Sequence, residues 1–194
     1  QVLAETEGRF NDLRFSTDGS KFFLEDLKEG ERRILAYNLS TGSPVETELT
    51  RYDPNNVIAL PGELLTRQDV NGITSTVTSS DGTSVYLRGS GFREQFTPQP
   101  FIDRVDIATG DTTRIFEGTD NAFDQPLVVL DNDLKRMIVS REMGSVVPDS
   151  YLWTVDGTWE NLTRNIDPYP ELSSVQRVDF DFTRRDGLTV QGRL

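Results

Sequence analysis

The sequence contains no histidine and no cysteine, and these two zeros exclude more chemistry than any motif in it supplies. Without cysteine there is no disulfide, no thiolate nucleophile and no cysteine-bound zinc. Without histidine the chain cannot build a Ser-His-Asp triad or a His metal site, and the usual general base at neutral pH is missing. Acid–base work by two carboxylates remains open in principle. Basic residues are also short, 20 Lys and Arg against 32 Asp and Glu, for a formal charge of −12. Nucleic-acid binding and recruitment to anionic membranes both rest on clustered Lys and Arg, so neither partner is expected, and the charge reads as solubilising. No apolar run approaches the roughly 18 residues of a membrane helix. Residues Gln1 to Glu5 show no basic segment followed by an apolar one, so no signal peptide is read there. No metal or organic cofactor is expected.

What is present is a repeated turn. Phe15-Ser16-Thr17-Asp18-Gly19-Ser20-Lys21-Phe22 carries an apolar run into a Ser-x-Asp-Gly turn and out again. Glycine supplies the positive φ that such a hairpin turn needs. The same grammar returns at Ser79-Ser80-Asp81-Gly82, and again at Asp131-Asn132-Asp133-Leu134 with leucine in the glycine position. A second turn follows each in phase, at Ser40-Thr41-Gly42, Ala108-Thr109-Gly110 and Asp156-Gly157.

Between these turns the sequence predicts three units of four strands and no sustained helical period. The first has strands over 12–16, 21–27, 32–39 and 44–49. The second has them over 72–79, 84–88, 101–107 and 112–116, and the third over 127–130, 136–141, 151–155 and 159–163. Asp18, Asp81 and Asp133 are 63 and 52 residues apart, and the 11 extra residues of the first interval are placed in the Pro/Asn-rich connection Tyr52 to Gly62. Four-stranded units of about 40–50 residues are the signature of propeller blades. A β-sandwich with chance Asp-Gly turns gives no reason for the second turn to repeat in phase. The expected fold is therefore all-β, a partial β-propeller of four-stranded antiparallel blades. The expected division is 1–9, the end of a preceding blade; 10–51, a blade; 52–71, a connection; 72–118 and 119–165, two blades; and 166–194, a linker and hairpin. Three units do not close a ring of the usual 4–8 blades. The chain is thus expected to be the later part of a larger propeller, with self-association through open blade faces as the other solution.

The tail carries a resemblance. Asn161-Leu162-Thr163-Arg164-Asn165, Pro168-Tyr169-Pro170-Glu171-Leu172 and Phe182-Thr183-Arg184-Arg185-Asp186-Gly187-Leu188 together resemble the propeller-to-hydrolase junction of prolyl oligopeptidase-family serine peptidases, in the glutamyl-endopeptidase-like branch. The run Pro100 to Gly110, with Ser140-Arg141-Glu142 and Pro148-Asp149-Ser150-Tyr151-Leu152, is similar to blades of that branch. The third turn's Leu134 and the segment Arg51 to Arg67 depart from its pattern. The resemblance implies a parent enzyme cleaving short peptides, its propeller gating access to an α/β-hydrolase domain whose first hairpin begins at the tail. A peptide substrate and that domain are the implied partners, in a periplasmic or secreted rather than a cytoplasmic setting. The nucleophile motif Gly-x-Ser-x-Gly is absent from this chain, so no catalytic residue is assigned and the chain alone is expected not to catalyse. A non-enzymatic TolB-like or WD40-like scaffold for protein–protein interaction is the alternative.

Four residues are candidates for a substrate channel. Arg93-Glu94 and Arg141-Glu142 follow second strands, where arginine could pair bidentately with a carboxylate and glutamate could meet an amine; the same residues also read as solvated charge pairs. Asp131 to Lys135 fails the calcium-loop pattern and reads as a turn. The triplets Asn38-Leu39-Ser40 and Asn161-Leu162-Thr163 fall beside strands and read as structural, while Trp153 and Trp159 read as inter-blade packing.

Overall fold

The computed structural model describes residues 5–6, 8–39, 45–93, 98–144, 146–171 and 178–193. Its first sheet is a meander of β1 (Arg9–Phe15), β2 (Lys21–Lys28), β3 (Glu31–Asn38) and β4 (Val45–Tyr52). A 3-10 turn at Val57–Ala59 lies in the connection that follows. The second sheet takes β5 (Glu63–Leu64), is interrupted by the hairpin β6 (Thr66–Gln68) and β7 (Thr74–Thr76), and resumes with β8 (Ser84–Gly89), β9 (Phe101–Asp106) and β10 (Thr112–Glu117). The third is β11 (Phe123–Val129), β12 (Arg136–Met143), β13 (Val146–Thr154) and β14 (Trp159–Asn161). A separate hairpin, β15 (Asp179–Thr183) and β16 (Thr189–Arg193), ends the described chain. This is the all-β, four-stranded antiparallel architecture that the repeated turns predict.

The strands of the second sheet explain why the period-2 alternation fades there. Val85 and Leu87 join Phe23, Ile34, Ala36, Leu49, Val105 and Ile107 in a core shared with the first sheet. Tyr86, between them, turns the other way into a core with Ile102, Phe116, Met137, Val139 and Trp153, shared with the third sheet. A blade sandwiched between two others is buried on both faces, so Ser84-Val85-Tyr86-Leu87 is a continuous run of buried residues. Each fully buried Leu, Val or Phe contributes about 1.5–3 kcal/mol relative to exposure. These inter-blade cores therefore dominate the stability of the assembly.

The repeated turns are built from the predicted atoms. The Ser16 hydroxyl donates to Asp18 at 2.6 Å and accepts from the Lys21 amide at 3.0 Å. Ser79 does the same with Asp81 and Ser84, at 2.6 and 3.0 Å. Donation by Ser16 and Ser20 holds the Asp18 carboxyl down at about 2. Gly19 and Gly82 sit at φ 68° and 69°. Leu134 occupies the same conformation at φ 52°, yet is almost wholly buried against Leu65, Val77 and Met137. The third turn thus trades backbone comfort for a core side chain.

One strand departs from the sequence reading. The inner position given to residues 72–79 is shared between two separated pieces. Glu63 pairs with Arg88, Leu64 with Leu87, and the Leu65 amide donates to the Tyr86 carbonyl at 2.8 Å. The ladder then resumes twelve residues later, with Thr78 opposite Val85 and the Ser79 amide on the Ser84 carbonyl. Thr78 stands where Thr66 would stand in an unbroken strand. The intervening residues form the β6–β7 hairpin around the turn Asp69 to Gly72. The extra length placed by sequence in Tyr52 to Gly62 is mostly this hairpin. In the third blade the inner strand also starts earlier than predicted, at Phe123, because Pro126 is accommodated on an edge strand that needs no amide donor there. Turn residues 40–44 lie outside the described residues.

The connectivity gives the assembly two distinct ends. The Ser-x-Asp-Gly-type turns lie at one end, which we name the turn face. The inter-blade connections 53–62 and 118–122 lie at the other, the connection face, with the loops after β2, β8 and β12.

Candidate functional site

The first strands of the three blades converge, and between them lies a cleft of about 850 Å³. Its charged lining comes from β1 (Asp12, Arg14), the ends of β2 and β3 (Glu25, Arg32), and the start of β5 with the end of β8 (Glu63, Arg88). Two of these couples are closed on themselves: Arg14 holds Asp12 at 2.8 Å and Arg32 holds Glu25 at 2.9 Å. Exposed pairs of this kind contribute about 0–1 kcal/mol and serve mainly to fix side-chain positions. Glu63 and Arg88 differ. They are directly opposite in the β5–β8 register, yet among the described residues neither side chain makes a hydrogen bond or ion pair. Gly62 permits this arrangement, since at φ 90° a Cβ there would stand 2.5 Å from the Arg88 carbonyl carbon. The sequence reading missed these residues. The signal was available in Arg88-Gly89-Ser90-Gly91, a cation at a strand end where glycines let the backbone crowd a cavity.

Of the residues singled out from sequence, the two arginines stand in ion pairs. Arg141 on β12 lies opposite Asp124 on β11, and its Nε and Nη2 donate to the two carboxylate oxygens at 2.7 and 3.1 Å. Its guanidinium also stacks on Trp159, 4.0 Å from the ring centroid. Asp124 is fully buried; burial pushes its carboxyl up, but the bonds from Arg141 and from the amide and hydroxyl of Thr119 outweigh that and leave it low. Arg93 binds Asp120 at 2.9 Å and also contacts Gln99, which in turn donates to the Gly118 carbonyl at 2.6 Å. Both arginines therefore fasten the connection-face segment 118–124. Glu142 is exposed opposite Phe123, a residue of the cleft wall, and Glu94 lies outside the described residues.

The Asp124–Arg141 couple has counterparts in the other blades. Asp26 lies opposite Arg33 and Asp103 opposite Arg114, each bound across neighbouring strands. Arg114 also stacks on Phe101 at 3.9 Å. Elsewhere, Asn161 donates its side-chain amide to Asp149 at 2.8 Å and is thus part of a structural network. Among the described residues no cluster of three or more acidic side chains could hold a metal ion.

No protein-family model matches the chain. Over its full length it is 27% identical to a protein described as "Probable glutamyl endopeptidase, chloroplastic" from Arabidopsis thaliana, of which it spans 22%. Among solved structures it is similar to TolB from Acinetobacter baumannii, with a TM-score of 0.45 and 17% identity, covering 98% of this chain and 42% of that one. It is also similar to the β-propeller domain of the Trilobed protease from Pyrococcus furiosus, with a TM-score of 0.40 and 13% identity, covering 81% of this chain and 44% of that one. Over its full length, including the junction residues of the tail, the chain is thus similar to a probable glutamyl endopeptidase, and its four-stranded antiparallel sheets are those of a propeller segment.

Proposed function

We propose that this chain is the substrate-admitting part of a serine peptidase that acts on short peptides, with the nucleophile carried elsewhere in a longer protein. The carrying observation is the match, over the whole of this chain, to 22% of a protein described as a probable glutamyl endopeptidase. The composition supports it, because a chain without histidine cannot activate a serine in the usual way. In this reading the cleft between the inner strands is the passage for peptide, and the hairpin β15–β16 opens the hydrolase domain.

A nucleophile-directed fluorophosphonate tests the proposal on this chain and on the protein encoded by the uninterrupted reading frame. The longer protein should be labelled at one serine and should hydrolyse short peptides in preference to folded proteins. The 194-residue chain should remain unlabelled. Labelling of the short chain, or a longer protein that neither labels nor hydrolyses peptides, would sink the proposal.

A further inference from the structure

Toward the turn face the cleft continues past Thr66, Arg88 and Pro126, which line both it and a second, smaller cavity of about 340 Å³. The walls of this recess are apolar: Leu65 and Ile102 on one side, Leu127, Val128 and Val129 on the other. Its end is formed by the inserted hairpin. Thr66, Arg67 and Gln68 of β6 line the recess. The hairpin is fixed to both neighbouring blades, through Thr17 to Ser75 at 3.0 Å and Arg67 to Asn132 at 2.9 Å, and through a parallel bridge between Ser16 and Thr76. The hairpin thus bounds the recess toward the turn face, Arg88 stands where recess and cleft meet, and Leu127 and Val128 leave the recess partly open to solvent.

Arg88 at this throat is the one lining arginine of the cleft whose guanidinium has no partner among the described residues; Arg14 and Arg32 are both paired. A guanidinium matches a carboxylate in bidentate geometry, and a volume of a few hundred cubic ångströms of apolar lining suits one non-polar group. We propose that the recess binds the C-terminal residue of a peptide, with an apolar side chain in the pocket and the terminal carboxylate on Arg88. The β6–β7 hairpin is the floor of this site and sets how deep the side chain reaches. A chain of net charge −12 offers few other places where a free carboxylate is attracted.

The site rests on the peptide-channel reading above but is measured as binding, so its failure is separate from failure of hydrolysis in a longer protein. The test is calorimetric titration of the chain with three N-acetylated tripeptides: one ending in Leu with a free carboxylate, the same peptide as its C-terminal amide, and one ending in Gly. The Leu acid should bind, and the amide and the Gly peptide should each bind roughly tenfold or more weakly, as loss of a charge-assisted hydrogen bond or of a buried side chain implies. Arg88→Met should erase the difference between acid and amide. Leu127→Trp, which fills the pocket from an exposed position, should erase the difference between Leu and Gly. Thermal melting confirms that each variant folds. Equal affinity for acid and amide, an Arg88→Met chain that still prefers the acid, or no binding by the folded chain overturns the proposal.

Discussion

The third turn invites a repair that the structure says will fail. Replacing Leu134 by Gly restores the Asp-Gly pattern of the other two blades and removes a left-handed non-glycine residue at φ 52°. An L-residue in that conformation costs about 1–2 kcal/mol, but glycine returns about 0.5–1 kcal/mol of that as lost chain entropy on folding. Against this small gain stands a side chain only 1% exposed, packed with Leu65, Val77, Met137 and Val139. Truncating a buried leucine to alanine costs about 2–5 kcal/mol, and losing the last carbon adds to that. The net expectation is a loss of about 2–4 kcal/mol, or roughly 5–15 °C in Tm for a chain of this size. Leu134→Ala keeps the strain and loses most of the side chain, so it should be less stable than Leu134→Gly by about 1 kcal/mol. Urea denaturation of the three proteins checks the order: wild type, then glycine, then alanine. A glycine variant as stable as the parent would refute the trade between turn strain and core packing.

Further outcomes follow from other elements. Arg141→Ala leaves the buried Asp124 carboxylate with only Thr119 as donor and should cost about 3–5 kcal/mol, measured as a shift in urea midpoint; an unchanged midpoint would show the arginine to be free for substrate. Arg141→Lys should restore little, because lysine supplies neither the bidentate fork nor the stack on Trp159. Asp26, Asp124 and Asp18 have folded-state acidities below the unfolded aspartate value of about 3.9. Their contribution is complete above about pH 4 and falls as pH drops toward the Asp18 value of about 2, so stability measured by circular dichroism should decline across that window and not between pH 5 and 8. Gly62→Ala should destabilise by more than the roughly 1–3 kcal/mol of left-handed strain alone, since its Cβ also meets the Arg88 backbone at 2.5 Å. Deleting residues 66–77 and joining Leu65 to Thr78 should give a folded chain with the inner strand of the second blade unbroken, checked by amide exchange at Tyr86 and Val85, at a cost of about 1.5–3 kcal/mol for the lost Val77 side chain; a collapse of the melting transition would contradict this.

The blades were legible because their punctuation is local. Gly19, Gly82, Gly110 and Gly157 each need a positive φ within a few residues of an apolar run, and such signals survive in sequence. The inserted hairpin was misread although Asn71-Gly72 is a strong hairpin signal with Thr-rich arms on both sides. Its second arm, Thr74 to Thr76, runs directly into the resumed inner strand, and the two fuse into one apparent strand. The site was less legible for a different reason. Arg141 was read either as a contact for substrate or as one half of a solvated charge pair with Glu142, but its partner Asp124 is seventeen residues away on a strand whose start sequence did not reveal. Whether an arginine is paired is decided by cross-strand register, which no single segment carries. Arg88, conversely, stands out only once the other charges of the cleft are seen to be paired.

Because the β5–β8 ladder leaves off at Tyr86 and resumes at Val85, one residue further along, the backbone pairing of the second blade does not depend on the length of the chain between Leu65 and Thr78, although Val77 in that segment is part of the core. That makes this point a socket: a segment whose ends return to adjacent rungs and whose last residue fills the place of Val77 can be fitted while the ladder stays in register. The depth and polarity of the pocket beneath can thus change independently of the scaffold. A family built on such a socket can diversify its ligands by editing one hairpin.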